Sequence, residues 1–182
     1  PFPREVTLRE SYEIFRYLLC QASAARRKTL LEKLVPWGLV LYGGDWDAYL
    51  PPNSPLRSCW RGMLPMKDEP AVFAMGKIFV NIQSVGHVTG PNMRFFNVAG
   101  YGAFQIGDMP QFDEYLQSDR EMVYGSTLSD YVEKVRYYLD HPQERDVIRR
   151  CAQQRILQDW TYRNWVDRVL GTLHFPSSTE SL

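Results

Sequence analysis

Residues 90–104 read GPNMRFFNVAGYGAF. A Gly-Pro-Asn turn running into an apolar helix leaves backbone N–H groups without partners, and the helix dipole adds partial positive charge at the same place. Together they suit a phosphate. Arg94 falls in the first turn of that helix, where a cation opposes the dipole by roughly 0.3–1 kcal/mol unless an anion lies nearby. An anionic ligand would remove the mismatch. So would solvation or a surface carboxylate, and local sequence leaves both readings open.

Other chemistry-bearing residues are weaker candidates. Asp45 and Asp47 flank Trp46 as a pair of carboxylates, but that setting reads as packing. His87 lies in the glycine-containing loop VGHVTG as a possible hydrogen-bond donor to a ligand, although loop histidines are more often structural. Asp108 follows the apolar run AFQI and is well placed but commonplace. Gly43-Gly44-Asp45 is too short for a dinucleotide fingerprint. His87, His141 and His174 show no metal-ligand spacing, and no Ser-His-Asp or Cys-His arrangement stands out. Tyr131, Tyr137, Tyr138, Trp160 and Trp165 fit helix packing better than a base-stacking platform.

The surrounding elements must position this turn. Thr7 and Glu10 form a capping box, followed by Leu8, Tyr12, Phe15 and Leu19 at helical spacing. A second helix is expected from about Ala24 to Val35, stopped by Pro36 and Gly38. Gly38–Tyr42 and Ile78–Ile82 are short apolar runs without alternation, as expected of strands buried on both faces. Five prolines in 51–70 mark a loop, with a short strand near Cys59–Leu64 and a brief helix at 71–77. Asn92 caps a helix to about Gly100, and Gly102 takes the left-handed position that ends it. Ala103–Ile106 is the next strand and Met122–Tyr124 an edge strand. Helices follow after Ser126-Thr127, from Pro142 and after Thr161, the last with Trp165, Val169 and Leu173 on one face. The tail Pro176–Leu182 is expected to be disordered. Buried strands alternating with helices indicate an open α/β fold with a parallel sheet covered on both faces. Ligands bind such sheets beyond the carboxyl ends of the strands.

Composition narrows the function. Of 182 residues, 45% are hydrophobic and 23% charged, enough for a globular core. The 21 basic and 21 acidic residues cancel, which disfavours binding nucleic acid through its backbone. No apolar run approaches the roughly 20 residues of a membrane span. No apolar leader follows Pro1, and an initial Pro reads as part of a longer chain. Cys20, Cys59 and Cys151 are widely spaced and fit a reducing cytoplasm.

The string from IFVNI through GPNMRFFNVAGYGAFQIGD resembles the C-terminal half of CgeB-like, family-1-type glycosyltransferases of the GT-B fold. The likeness continues through FDEYL, EMVYGSTLSDYVEKVRYYLDHPQER and the terminal WTYRNWVDRVL, while LVLYGGDW resembles an earlier strand of the family. It covers roughly residues 30–173, and the GPNxR element followed by Gly-x-Gly is its most specific part.

The resemblance implies a Rossmann-like donor-binding domain at 36–175, preceded by helices at 1–35 and followed by the tail 176–182. The donor would be a nucleotide-diphospho-sugar, with no metal or other cofactor. Its diphosphate would meet Gly90, Pro91, Asn92, Met93 and Arg94. Asn97, Thr89 and His87 would face the ribose or sugar, and Tyr42, Gly43 and Gly44 would form the nucleotide-side loop. Two positions depart from the family. Asn97 replaces a glutamate used for the ribose hydroxyls, and Thr89 replaces one that touches the donor sugar. A neutral acceptor is roughly half as strong as a carboxylate. The acceptor site would come from a missing N-terminal GT-B domain, so the chain alone is expected to be inactive. The alternative is a sugar-nucleotide-binding or protein-interaction module that has lost transferase activity.

Overall fold

The computed structural model describes residues 7–44, 46–86 and 89–173. Asp45, His87 and the expected tail Pro176–Leu182 lie outside them. Helix α1 spans Leu8–Leu34 and begins with the expected capping box: Glu10 N–H donates to Thr7 Oγ1 at 3.2 Å, and Thr7 N–H to Glu10 Oε2 at 2.9 Å. Two helices were expected here, but there is one. The intervening Gln21–Ala25 holds no Gly or Pro, and the Ser23 hydroxyl donates to Leu19 O at 2.8 Å, inside the helix. The C-terminal half buries Leu30, Leu31 and Leu34, while residues 8–18 are exposed except half-buried Glu10.

Three short strands form one parallel sheet in the order β1 (Phe79–Asn81), β2 (Gln105–Gly107), β3 (Val123–Tyr124), with Val80 opposite Ile106 and Ile106 opposite Val123. The expected strand at Gly38–Tyr42 shrinks to a single bridge from Leu41 to Trp60. The segment before Trp60, Pro55–Cys59, is a 3-10 turn, so no ladder can extend along it, and Val40 stays exposed. Two short helices fill the connections, α2 (Trp46–Tyr49) and α3 (Glu69–Met75).

Helix α4 (Met93–Gly100) crosses from β1 to β2. It ends as the Gly-x-Gly spacing predicts. Gly102 sits at φ +73°, Gly102 N–H donates to Ala99 O at 2.9 Å, and Ala103 N–H donates to Val98 O at 3.0 Å, a Schellman closure. Helices α5 (Leu128–Asp140), α6 (Pro142–Asp159) and α7 (Tyr162–Thr172) complete the chain. Strand alternation feeds two cores. Phe104, Ile106 and Val123 pack with Leu30 of α1 and Tyr131 and Val135 of α5. Met122 and Tyr124 pack with Phe95 and Ala99 of α4 and Ala152 and Ile156 of α6.

No residue of α7 is buried, and Tyr162, Trp165, Leu170 and Leu173 face outward. Among the described residues no helix is long and apolar enough to cross a membrane.

The turn from β3 to α5 depends on a close approach. A Cβ on Gly125 would lie 2.8 Å from the Tyr131 Cα and 2.6 Å from its ring. Gly125→Ala is expected to cost about 1–3 kcal/mol through this overpacking, read as a Tm several degrees lower; an unchanged Tm would contradict it.

Candidate functional site

The site is built on polar side chains inside apolar elements. Asn92 is the N-cap of α4, where its Oδ1 accepts from Phe95 N–H at 3.0 Å. Its Nδ2 donates to Asn81 Oδ1 at 3.1 Å, Asn81 Nδ2 donates to Gln105 Oε1 at 3.1 Å, and Gln105 Nε2 donates to Phe95 O at 2.8 Å. The circuit closes on the helix it started from. Asn81 and Gln105 are only 3% and 2% exposed, so each lost partner would leave a group unpaired away from water. The network fixes the start of α4 against β1 and β2, at the carboxyl end of the sheet.

The first-turn N–H groups of Met93 and Arg94 have no place in the helix ladder and face this end. Both side chains are exposed, and among the described residues Arg94 has no hydrogen-bond or ion-pair partner. Arg27 approaches from α1. Its Nε and Nη2 donate to Ile82 O, each at 3.3 Å. Its pKa is held below the usual arginine range, first by burial and then by the positive charge of Arg94, with Asp108 acting the other way. The Arg27 guanidinium is held at Ile82 O, and the like charge of Arg94 is near enough to act on it.

Asp108 follows β2. Its Oδ1 accepts from Gln83 N–H at 3.0 Å, and its Oδ2 lies 2.9 Å from Arg26 Nη2. The second contact is an ion pair by distance but gives Oδ2 no well-directed hydrogen bond. Burial raises the Asp108 pKa, opposed by the Gln83 N–H and by Arg26. Gln83 itself is 2% exposed, and neither atom of its side-chain amide finds a protein partner.

The structure unites only part of the expected site. Gly90 through Arg94 converge at the head of α4. Asn97 lies exposed one turn beyond Arg94, on the same side of the helix. Thr89 is exposed in the loop ahead of Gly90, and His87 lies outside the described residues. In the Tyr42–Gly44 loop Gly43 is tied to the segment after Cys59: Gly43 N–H donates to Gly62 O at 3.0 Å, and Trp60 Nε1 donates to Gly43 O at 2.8 Å. The Asp47 carbonyl accepts from Arg57 at 2.7 Å, which makes it part of a loop clamp. Sequence reasoning did not single out Arg26, Arg27, Asn81, Gln83 or Gln105. The available signal was a polar residue inside each short apolar run, Asn81 in IFVNI and Gln105 in AFQI.

The structure is an open parallel Rossmann-like sheet of the α/β class, with the capped start of α4 after β1 and Arg94 exposed in its first turn. The chain is a member of the glycosyl transferase-like family, whose model matches residues 18–171. No curated protein matches it.

Asn81→Ala would leave Asn92 Nδ2 and Gln105 Oε1 unpaired. The expected loss is about 1–3 kcal/mol for each buried group, measured by urea unfolding; a change under about 0.5 kcal/mol would mean the network does not hold α4 in place.

Proposed function

We propose that this chain is the donor-binding half of a GT-B glycosyltransferase and that its ligand is a nucleotide-diphospho-sugar. The observation that carries the reading is the Asn92-capped start of α4 with Met93 and Arg94 exposed in its first turn, where the like charge of Arg27 also acts on Arg94 and an anion would relieve both. The diphosphate would accept from the Met93 and Arg94 amides and from both guanidinium groups, contacts that are charge-assisted. On transfer, the bond between the anomeric carbon and the phosphate oxygen breaks, and a bond to an acceptor hydroxyl forms. Charge then grows on the leaving diphosphate, where the two arginines and the helix dipole would stabilise it. Asn97, one turn on and exposed, would meet the ribose hydroxyls.

A second α/β half would supply the acceptor site. Two unpartnered helical surfaces support this: the exposed Leu8, Tyr12 and Phe15 of α1, and the exposed stripe of α7. All three cysteines are free, which suits the cytoplasm. The non-catalytic reading keeps one specific support: Asn97 and Thr89 stand where the family carries glutamates, so the site has fewer charges to offer a sugar or ribose.

Thermal unfolding with UDP, GDP, ADP or dTDP tests the site. A ligand at ~100 times its dissociation constant adds about 2.7 kcal/mol. For a domain of this size that is a rise of roughly 5–10 °C. One nucleotide is expected to give this rise, and Arg94→Ala or Arg27→Ala is expected to abolish it. A rise that survives both substitutions would place the ligand elsewhere.

A further inference from the structure

The first half of α1 carries side chains that suit a strand better than an exposed helix. Tyr12, Ile14, Phe15, Tyr17 and Leu18 are 54–62% exposed. They do not form one stripe: Tyr12 and Phe15 lie on one side of the helix, Ile14 and Tyr17 on another. Tyr, Ile and Phe are favoured in strands. Laid out as a strand, Tyr12–Cys20 puts Ile14 and Leu18 on one face and Phe15, Tyr17 and Leu19 on the other. Apolar side chains on both faces mark a strand covered on both sides. Its only charges are Glu13 and Arg16, which pair with each other at 2.9 Å on the helix surface.

The sheet has a place for such a strand. β1 pairs with β2, and among the described residues no strand pairs with its other edge. Phe79 N–H donates to Phe104 O at 2.9 Å, so the next residue, Val80, directs its N–H and C=O away from β2. Ile82 O points the same way, and Arg27 covers it. Ile78–Ile82 contains no charge and no proline, the usual guards of an open edge. Both faces of β1 are apolar. Phe79 meets Phe73 of α3 with ring centres 5.0 Å apart, and Val80 packs into the cluster of Leu30, Leu31 and Leu34. Ser23 fixes where an added strand would end. It is buried, and its Oγ accepts from Val85 N–H at 3.1 Å, just past the carboxyl end of β1. A strand lying parallel to β1 and ending at Cys20 would reach Ser23 through two residues, an ordinary strand-to-helix connection. Ser23 would then cap the shortened helix instead of donating to Leu19 O.

We propose that Tyr12–Cys20 is a two-state strap: helical as described above, and a fourth parallel strand on the free edge of β1 in its second state. The two surfaces match, since one has apolar side chains without cover and the other has backbone groups without partners. The Thr7–Glu10 capping box and the Glu13–Arg16 pair hold the strap as a helix. The rest of α1 stays in place in both states, anchored by Leu30, Leu31 and Leu34. In the helical state Tyr12 and Phe15 are open to a partner, and in the strand state they are withdrawn from it. The strap thus decides whether that docking surface exists, and it does so whether or not the chain binds a nucleotide-sugar.

Chemical-exchange saturation-transfer NMR of the full chain tests it, because that method detects minor states that interconvert slowly. Residues 12–20 and the Val80 amide are expected to exchange at one common rate, with minor-state Cα shifts of strand type across residues 14–19. Glu13→Val combined with Arg16→Val removes the ion pair and adds two β-branched residues, and is expected to raise the minor population about threefold. Ile14→Ala combined with Tyr17→Ala changes two exposed positions toward helix and is expected to lower it by a similar factor. Val80→Pro removes the N–H that faces the open edge and no bond to β2, so it is expected to abolish the exchange at residues 12–20. The alanine pair keeps the test decisive if the proline variant does not fold. Absence of exchange at residues 12–20 in both the parent and the valine pair overturns the strap. Minor-state shifts of random-coil type with no response at Val80 also overturn it, because the helix would then merely fray. A minor population that grows with protein concentration overturns it as well, because the edge would then take its strand from another copy.

Discussion

The hydrogen-bond circuit through Asn92, Asn81, Gln105 and Phe95 is the constraint on which the rest depends. A buried amide is costly unless both of its ends are paired, and here the pairing joins two strands and a helix start. That cost makes the geometry specific. The α4 head cannot slide along β1 without stranding Asn81, nor tilt away from β2 without stranding Gln105. The first-turn amides of Met93 and Arg94 are therefore fixed before any ligand arrives. Preorganised donors of this kind need not be rearranged when charge develops on a bound group.

Helix α1 supplies what α4 lacks. Its C-terminal half is anchored by Leu30, Leu31 and Leu34, and that anchoring sets where Arg26 and Arg27 fall. Adjacent residues on a helix point about 100° apart, so Arg27 reaches Ile82 O and Arg26 reaches Asp108. The same turn of helix thus borders a cationic place and a neutral one. Arg94 is unfavourable when considered within α4 alone, and Arg27 adds to the repulsion. The proposed glycosyl transfer would give this repulsion a use, because its leaving group is an anion.

Local signals in the sequence were legible because the interactions that produce them are local. Thr7 with Glu10, Asn92 with Phe95 and Gly102 with Val98–Ala99 all bond within a few residues, and each cap falls where the sequence indicates. The parallel sheet was legible too, since IFVNI and AFQI are too apolar for a surface strand. Three features were not. Continuity of α1 rests on a stretch whose polar and apolar residues show no single face. The Gly38–Tyr42 run has the composition of a strand, but its neighbour is a proline-started 3-10 turn, and no property of the run itself reveals that. Arg27 is distant from Arg94 in sequence, and only the packing of α1 across the sheet brings them together.

The central claim is that the α4 head and the two arginines form one diphosphate site. A 1H–15N NMR titration of the chain with inorganic pyrophosphate tests it most directly, since that probe has neither base nor sugar. The account predicts that the largest shifts fall on the Met93 and Arg94 backbone amides and on the Nε–H groups of Arg27 and Arg94, and that they shrink as salt rises. Shifts centred elsewhere on the surface, or none at these groups at millimolar pyrophosphate, would contradict it.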